Sequence, residues 1–122
     1  MILADTTVWI DHLRVSNAEM ERLLQNGRIA MHPFVVAEIS LGSLRERQKT
    51  LSQLDRLIEV KVANLAEVRV LIESQALYSK GIGLIDANLA ASCLITPGTE
   101  LWTRDLALQR VAKSLGIHAN LT

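Results

Sequence analysis

The fold is decided at the start of the chain, by the segment Ile2-Leu3-Ala4-Asp5-Thr6-Thr7-Val8-Trp9-Ile10. Its first three residues form a short apolar run, which predicts a buried strand that begins almost at residue 1. The next three are polar residues of the kind that cap helices, and the apolar residues after them predict a helix. Asp5 is therefore expected at the carboxyl end of a strand, where a helix begins.

Strands and helices alternate along the rest of the chain. Short apolar runs predict further strands at 28–31, 60–62 and 100–103, and a last, marginal strand at 117–119. Apolar residues at helical spacing predict helices at 18–25, from Pro33 onward, and at 51–58, 65–76, 85–94 and 106–115. This alternation favours an α/β fold, with a parallel sheet of four to five short strands and helices on both faces.

The composition describes one globular domain spanning residues 1–122. Hydrophobic residues make up 49% of the chain and charged residues 21%, which favours a packed core over disorder. No apolar run approaches the roughly 20 residues of a membrane helix, and the N-terminus lacks the basic region of a signal peptide. The single cysteine, Cys93, excludes an internal disulfide and fits a reducing cytosol. We therefore expect a cytoplasmic protein without a membrane segment.

Four acidic residues lie at separated points of the chain, each beside an apolar segment, and are called the four acids below: Asp5, Glu38, Asp86 and Asp105. Two like charges about 4 Å apart repel by about 4 kcal/mol at an effective dielectric near 20, so a cluster of carboxylates needs a positive partner. Ligands in parallel sheets bind beyond the carboxyl ends of the strands. Oxygen ligands alone favour Mg²⁺ or Mn²⁺ over zinc, and the natural substrate of such a site is a phosphodiester.

Each of the four acids also has a simpler interpretation. Aspartate is a preferred N-cap, and all three aspartates lie at or near predicted helix starts. Glu38 taken alone fits the solvated edge of an amphipathic helix, although it flanks the predicted apolar stripe instead of opposing it. That stripe consists of Phe34, Ala37, Leu41 and Leu44. The histidines His12, His32 and His118 lack metal-ligand spacing, so we expect them on the surface or in local hydrogen bonds.

Four segments of the chain together resemble the PIN-domain ribonucleases, specifically the VapC-type toxins of bacterial and archaeal toxin–antitoxin pairs. They are Leu3-Ala4-Asp5-Thr6-Thr7-Val8-Trp9-Ile10-Asp11, Val35-Val36-Ala37-Glu38-Ile39, Leu84-Ile85-Asp86-Ala87-Asn88-Leu89-Ala90-Ala91 and Leu101-Trp102-Thr103-Arg104-Asp105-Leu106. Each segment alone is weakly specific, but all four in one short chain, in order, are strongly specific. The chain departs from the family at Leu108, where members often carry an aromatic residue.

The resemblance implies a three-layer α/β/α PIN-like fold in which the four acids form one pocket that holds one or two Mg²⁺ ions, with Mn²⁺ as an alternative. It implies hydrolysis of RNA to products with 5′-phosphate and 3′-hydroxyl ends. Thr6 and Thr103 match hydroxyl residues expected to hydrogen-bond to a carboxylate, metal-bound water or phosphate, with strand-end capping as the alternative. The resemblance also implies a homodimer and a cognate VapB-like antitoxin. The tail of such an antitoxin lies across the acidic groove and often places an arginine there.

RNA must also be held by positive charge, because the formal net charge of the chain is +0. The basic residues expected to contact phosphates are Arg45, Arg47, Arg104 and Arg110. A solvated helix face is the commoner explanation for each of them. The apolar helix at 51–58 is a candidate association surface, with core packing as the default interpretation.

Three other functions are compatible with parts of this pattern. A PIN nuclease of RNA processing, without an antitoxin, would share the same acids. A receiver-type phosphoacceptor domain also binds Mg²⁺ at strand ends, but it needs a paired acid after the first strand and a lysine after the last. Here the first strand leads to one acid, and Ile117-His118 has no lysine. A non-catalytic binding module is opposed by the presence of all four acids.

Overall fold

Four short strands form one parallel sheet, and seven helices pack around it in the computed structural model, which describes residues 1–122. The strands are β1 (Ile2–Ala4), β2 (Ile29–Met31), β3 (Ile58–Glu59) and β4 (Glu100–Trp102). The helices are α1 (Thr6–Arg14), α2 (Ala18–Gln25), α3 (Pro33–Ser40), α4 (Arg47–Asp55), α5 (Leu65–Ser74), α6 (Leu84–Ile95) and α7 (Leu106–Ser114). None of these helices has both the length and the apolar composition to cross a bilayer.

The order of the strands creates a crevice between β1 and β4. The sheet has the order β3-β2-β1-β4, so the chain moves outward from β1 to β3 and then returns to the other side of β1. Right-handed crossovers place α1 to α4 on one face of the sheet and α5 and α6 on the other, which is the three-layer α/β/α arrangement. The direction reverses between β1 and β4, and such a reversal opens a ligand crevice at the strands' carboxyl ends.

The apolar core fixes both strands that border this crevice. Leu3 of β1 and Leu101 of β4 are fully buried and lie side by side in register. The indoles of Trp9 on α1 and Trp102 on β4 are also fully buried, and both belong to the same core cluster. Because β1 is buried along its whole length, its continuous apolar sequence is typical of a central parallel strand.

Most predicted elements are confirmed, but the third strand was predicted too late in the chain. It lies at Ile58–Glu59, not at 60–62, and the preceding helix is α4, Arg47–Asp55, not 51–58. Both residues of this edge strand are exposed, so no apolar alternation marks them, whereas Val60 is buried after the strand has ended. The predicted last strand is reduced to a single parallel bridge between Leu101 and His118.

The predicted apolar stripe of α3 is wrong. The helix buries Val35 and Ile39, whereas Phe34 is 39% exposed and Leu41 is 88% exposed. Four consecutive apolar residues near the start of the helix, 34–37, fit more than one rotational setting, so the sequence alone did not define the buried face. Glu38 follows Val35 by three residues and is half-buried beside the true apolar face.

The segment 51–58 uses most of its apolar residues internally. Leu54 is buried, and Leu51 and Leu57 pack against the core, so only Ile58 is strongly exposed. Core packing is therefore its role, and the structure does not support this segment as an association surface.

Candidate active site

Asp5 lies at the floor of the crevice, directly after β1. It is buried and caps α1, because its Oδ1 accepts a hydrogen bond from the backbone N–H of Val8 at 3.1 Å. Its Oδ2 accepts a hydrogen bond from the hydroxyl of Thr103. Its backbone N–H donates to the carbonyl oxygen of Trp102 at 2.9 Å, which joins it to β4. Both carboxylate oxygens are thus oriented by groups from two different elements.

Thr103 connects Asp5 to Asp105. Its hydroxyl oxygen donates to Asp5 and accepts a hydrogen bond from the backbone N–H of Asp105 at 3.1 Å. Asp105 caps α7 by accepting from the backbone N–H of Leu108 at 2.9 Å, and it is exposed to solvent. The amide of Gln109 donates to the Thr103 carbonyl oxygen at 2.9 Å and holds this turn in place. One hydroxyl therefore sets the relative positions of two acids that come from opposite ends of the chain.

Glu38 and Asp86 are carried by two helices, α3 and α6. The hydroxyl of Thr6, at the start of α1, donates to Glu38 Oε1 on α3 at 2.5 Å. Asp86 lies in the first turn of α6, where a backbone hydrogen bond at Gly83 favours its charged form. Both acids are half-buried, so burial decreases from Asp5 at the floor to Asp105 at the rim.

The four acids influence one another electrostatically. Burial is the main cause that raises the pKa of Asp86, and repulsion from Asp105, Asp5 and Glu38 raises that pKa further. Burial also raises the pKa of Asp5 despite its hydrogen bonds, and the charge of Asp105 adds to this effect. The charges of the other three acids therefore act on Asp86, and the charge of Asp105 acts on Asp5.

The donors fit a hydrated hard cation better than one that is fully enclosed by protein. The structure contains no group of three side chains from Asp, Glu, His or Cys that lie close enough together to hold a metal ion directly. Charges act on one another over longer distances than a metal–ligand bond spans. The acids can therefore affect each other's pKa without three of them touching one ion. Mg²⁺ usually keeps several waters and binds through one or two carboxylates, which suits four carboxyl groups of graded burial.

The basic residues expected to contact RNA differ in how they are used. Arg104 pairs with Asp11 at 2.7 Å and also donates to the backbone oxygen of Thr122 at 2.7 Å. Arg47 donates to the carbonyl oxygen of Ser40, the last residue of α3, at 2.6 Å. Arg45 and Arg110 are exposed and have no ion-pair partner. Only the last two have guanidinium groups free for phosphate.

The sequence did not predict the buried hydrogen bonds between His32 and α6. We expected His32 on the surface or in local hydrogen bonds, but His32 is fully buried and bonds to Asn88 and Ser92 of α6. A signal was present, because Asn88 and Ser92 are four residues apart in an otherwise apolar helix and therefore share one face. Nothing in the sequence shows which residue meets that face.

A parallel sheet with acids at its topological switch point defines an α/β protein with an acidic ligand site at the carboxyl ends of β1 and β4. The sequence pattern of the PIN domain matches residues 2–114, and the chain belongs to the PIN-domain family. It is 38% identical over 117 residues to Ribonuclease VapC32 of Mycobacterium tuberculosis, from strain CDC 1551 / Oshkosh and from strain ATCC 25618 / H37Rv. Each match covers 96% of this chain and 94% of the relative, so the likeness extends over the whole fold.

Replacing Thr103 with valine is expected to weaken Mn²⁺ binding about 10- to 100-fold, because Asp5 and Asp105 lose the hydroxyl that links them. Valine keeps the shape of threonine, so the buried packing survives. Isothermal titration calorimetry with Mn²⁺ measures the change, and Thr99→Val is the matched control, since the buried Thr99 hydroxyl has no hydrogen-bond partner. Equal affinities in the two variants would contradict the linking role.

Replacing Asp86 with asparagine is expected to stabilise the metal-free fold at neutral pH. The folded-state pKa of Asp86 is raised, so its protonated form is favoured in the folded state. The stability it contributes is present below the ordinary pKa near 3.8 and is lost as pH rises through the raised value. Urea unfolding in chelator should show a higher free energy of unfolding for Asp86→Asn than for the wild type at pH 7, and no difference near pH 3. The control Asp55→Asn, at an exposed position of α4, should show no increase. A loss of stability at pH 7 would contradict a raised pKa of Asp86 in the folded state.

Proposed function

We propose that this chain is a single PIN domain, spanning residues 1–122, that acts as a Mg²⁺-dependent endoribonuclease and as the toxin of a toxin–antitoxin pair. The observation that carries the proposal is the coupling of the four acids at the switch between β1 and β4. The name of the relative, a VapC ribonuclease, supports RNA as the substrate and favours the toxin over an RNA-processing nuclease.

The residues around the four acids have different roles, which depend on their positions. The carboxylate of Asp5 accepts a hydrogen bond from the Thr103 hydroxyl, which also accepts from the backbone N–H of Asp105, and the carboxylate of Glu38 accepts from the Thr6 hydroxyl. A hydroxyl that donates to a carboxylate leaves the remaining lone pairs free for a cation or its waters. Mg²⁺, or Mn²⁺ in its place, would supply the charge that polarises a phosphodiester and lowers the pKa of an attacking water. No side-chain nucleophile is required, which agrees with burial of the single cysteine.

RNA approaches the four acids from the solvent side, where Asp105 is exposed. The carboxylates repel phosphate until cations are present, so binding of RNA depends on the metal and on free arginines. Arg45 and Arg110 are the residues that we assign to phosphate contacts, because their guanidinium groups have no ionic partner in the chain. The products carry 5′-phosphate and 3′-hydroxyl ends, as expected of hydrolysis by attack of water at this kind of site.

The partner that we propose is a VapB-like antitoxin, and the active form is a cytoplasmic homodimer. A groove of about 460 Å³ lies between α1 and the end of α3, the two helices that bear Thr6 and Glu38. Its lining includes the apolar side chains of Ile10, Leu13 and Ile39 and the basic side chain of Arg45. This lining supports binding of an amphipathic segment, and an arginine on that segment would pair well with the four acids.

The test is to express the chain with and without its antitoxin and to incubate each preparation with RNA in Mg²⁺ or in excess chelator. Cleavage is expected only for the free chain in Mg²⁺, and sequencing of the RNA 5′ ends should show discrete sites that carry phosphate. A parallel preparation of the Asp86→Asn variant controls for contaminating nuclease. Undiminished cleavage in chelator would overturn the proposal.

A further inference from the structure

A hydrogen-bond network lies in the core around His32. His32, the residue after β2, is fully buried, and its Nε2 lies 2.7 Å from Asn88 Oδ1 and 3.1 Å from Ser92 Oγ. The Asn88 amide donates to the carbonyl oxygen of Ala63 at 2.9 Å, and the Ala63 N–H donates to Ser92 Oγ at 3.1 Å. These contacts join β2, the segment before α5, and α6.

The network fixes the protonation state of His32. The backbone N–H of Phe34 donates to His32 Nδ1 at 3.0 Å, so Nδ1 carries no proton. Nε2 must then be the protonated nitrogen, and it donates to Asn88 Oδ1. Burial lowers the pKa of His32, which agrees with a neutral imidazole. The ring thus makes two separate contacts, one that caps α3 and one that bridges to α6.

The two helices held by His32 are the ones that carry Glu38 and Asp86. Glu38 lies on α3, whose N-cap is His32. Asp86 and Asn88 are two positions apart on α6, about 200° around the helix, so the bond to Asn88 anchors the face opposite the pocket. Asp86 also has no hydroxyl partner from another element, unlike Asp5 and Glu38. Its position in the pocket therefore depends on the rotational setting of α6.

We propose that His32 is a positioning residue for the divalent-cation site, because its bridge to Asn88 and Ser92 sets the placement of α6, and with it Asp86, relative to α3 and Glu38. This inference rests on the proposed function. It concerns the bridge made by Nε2 and not the cap made by Nδ1. Two substitutions separate these contacts, since asparagine places a polar atom near the position of Nδ1 and glutamine places one near the position of Nε2.

The experiment compares His32→Asn with His32→Gln by calorimetric titration with Mn²⁺ and by kcat and KM on RNA. Asparagine is a strong N-cap but is too short to reach α6, so Mn²⁺ affinity should fall about 10- to 100-fold. Glutamine retains a donor for Asn88, so its Mn²⁺ affinity should stay close to that of the wild type. Met20→Ala, a buried truncation in α2 far from the acids in sequence, controls for a general loss of stability.

Two outcomes overturn the positioning role. The first is a folded His32→Asn protein that binds Mn²⁺ with wild-type affinity. The second is a loss of Mn²⁺ affinity in both His32 variants that equals the loss in Met20→Ala. If neither His32 variant folds, Ser92→Ala decides by the same titration, because it removes one member of the bridge and little volume; unchanged affinity then overturns the proposal. A wild-type chain that neither binds Mn²⁺ nor cleaves RNA overturns the proposed function itself, and the two failures are thereby distinguished.

Discussion

The Asp5→Asn variant is expected to lose RNA cleavage by at least about 10³-fold while remaining folded, because removal of several kcal/mol of charge stabilisation corresponds to that factor in rate. Asp5 is the most buried of the four acids and is oriented at both oxygens. Asparagine still accepts the hydrogen bond from Val8, since it is as good an N-cap as aspartate. The substitution therefore removes charge from the floor of the pocket with little change in local structure.

Initial rates on a labelled RNA in Mg²⁺, together with circular dichroism of the same preparations, measure this effect. Asp55→Asn is the matched control, because it makes the same chemical change at an exposed position on α4 and should retain wild-type activity. Full activity in Asp5→Asn would show that the chemistry takes place elsewhere. Loss of activity together with loss of helical signal would instead assign Asp5 to folding.

The second large effect is expected in the core behind the pocket. Trp102→Ala should lower the free energy of unfolding by about 3–5 kcal/mol, because the indole is 1% exposed and its removal leaves a cavity beside β1. Native domains have only about 5–15 kcal/mol in total, so this variant approaches the limit of stability. Urea unfolding measures the change.

Trp102→Phe separates packing from hydrogen bonding at this position. The indole Nε1 is buried without a partner, so phenylalanine forfeits no hydrogen bond and removes an unsatisfied donor. We expect Trp102→Phe to be much less destabilising than Trp102→Ala. A loss as large as that of the alanine variant would mean that Nε1 has a partner in solution.

The sheet could be predicted largely from sequence because every residue of β1 and β2 and two of the three residues of β4 are buried. β1 and β4 therefore read as short apolar runs, and an acid follows each of them within three residues. The errors fall where burial is partial. β3 is an exposed edge strand without an apolar signature, and consecutive apolar residues at the start of α3 left the rotational setting of that helix undefined.

The site could be predicted only in part, for a related reason. Each of the four acids lies beside an apolar segment, Asp5 and Asp105 follow predicted strands, and the resemblance matches all four. In the structure, the charges of the other three acids raise the pKa of Asp86. Their hydrogen bonds join residues far apart in sequence, as in Thr103 to Asp5 across 98 positions and Thr6 to Glu38 across 32 positions. The buried bridge from His32 to α6 is likewise a product of tertiary packing, and no local pattern encodes it.

The central claim is that the four acids act together as one divalent-cation site. The most direct measurement is Mn²⁺ binding to the wild-type chain and to four single variants, Asp5→Asn, Glu38→Gln, Asp86→Asn and Asp105→Asn. We expect saturable binding in the wild type that every one of the four substitutions weakens. Binding that is absent in the wild type, or that survives all four substitutions unchanged, would contradict it.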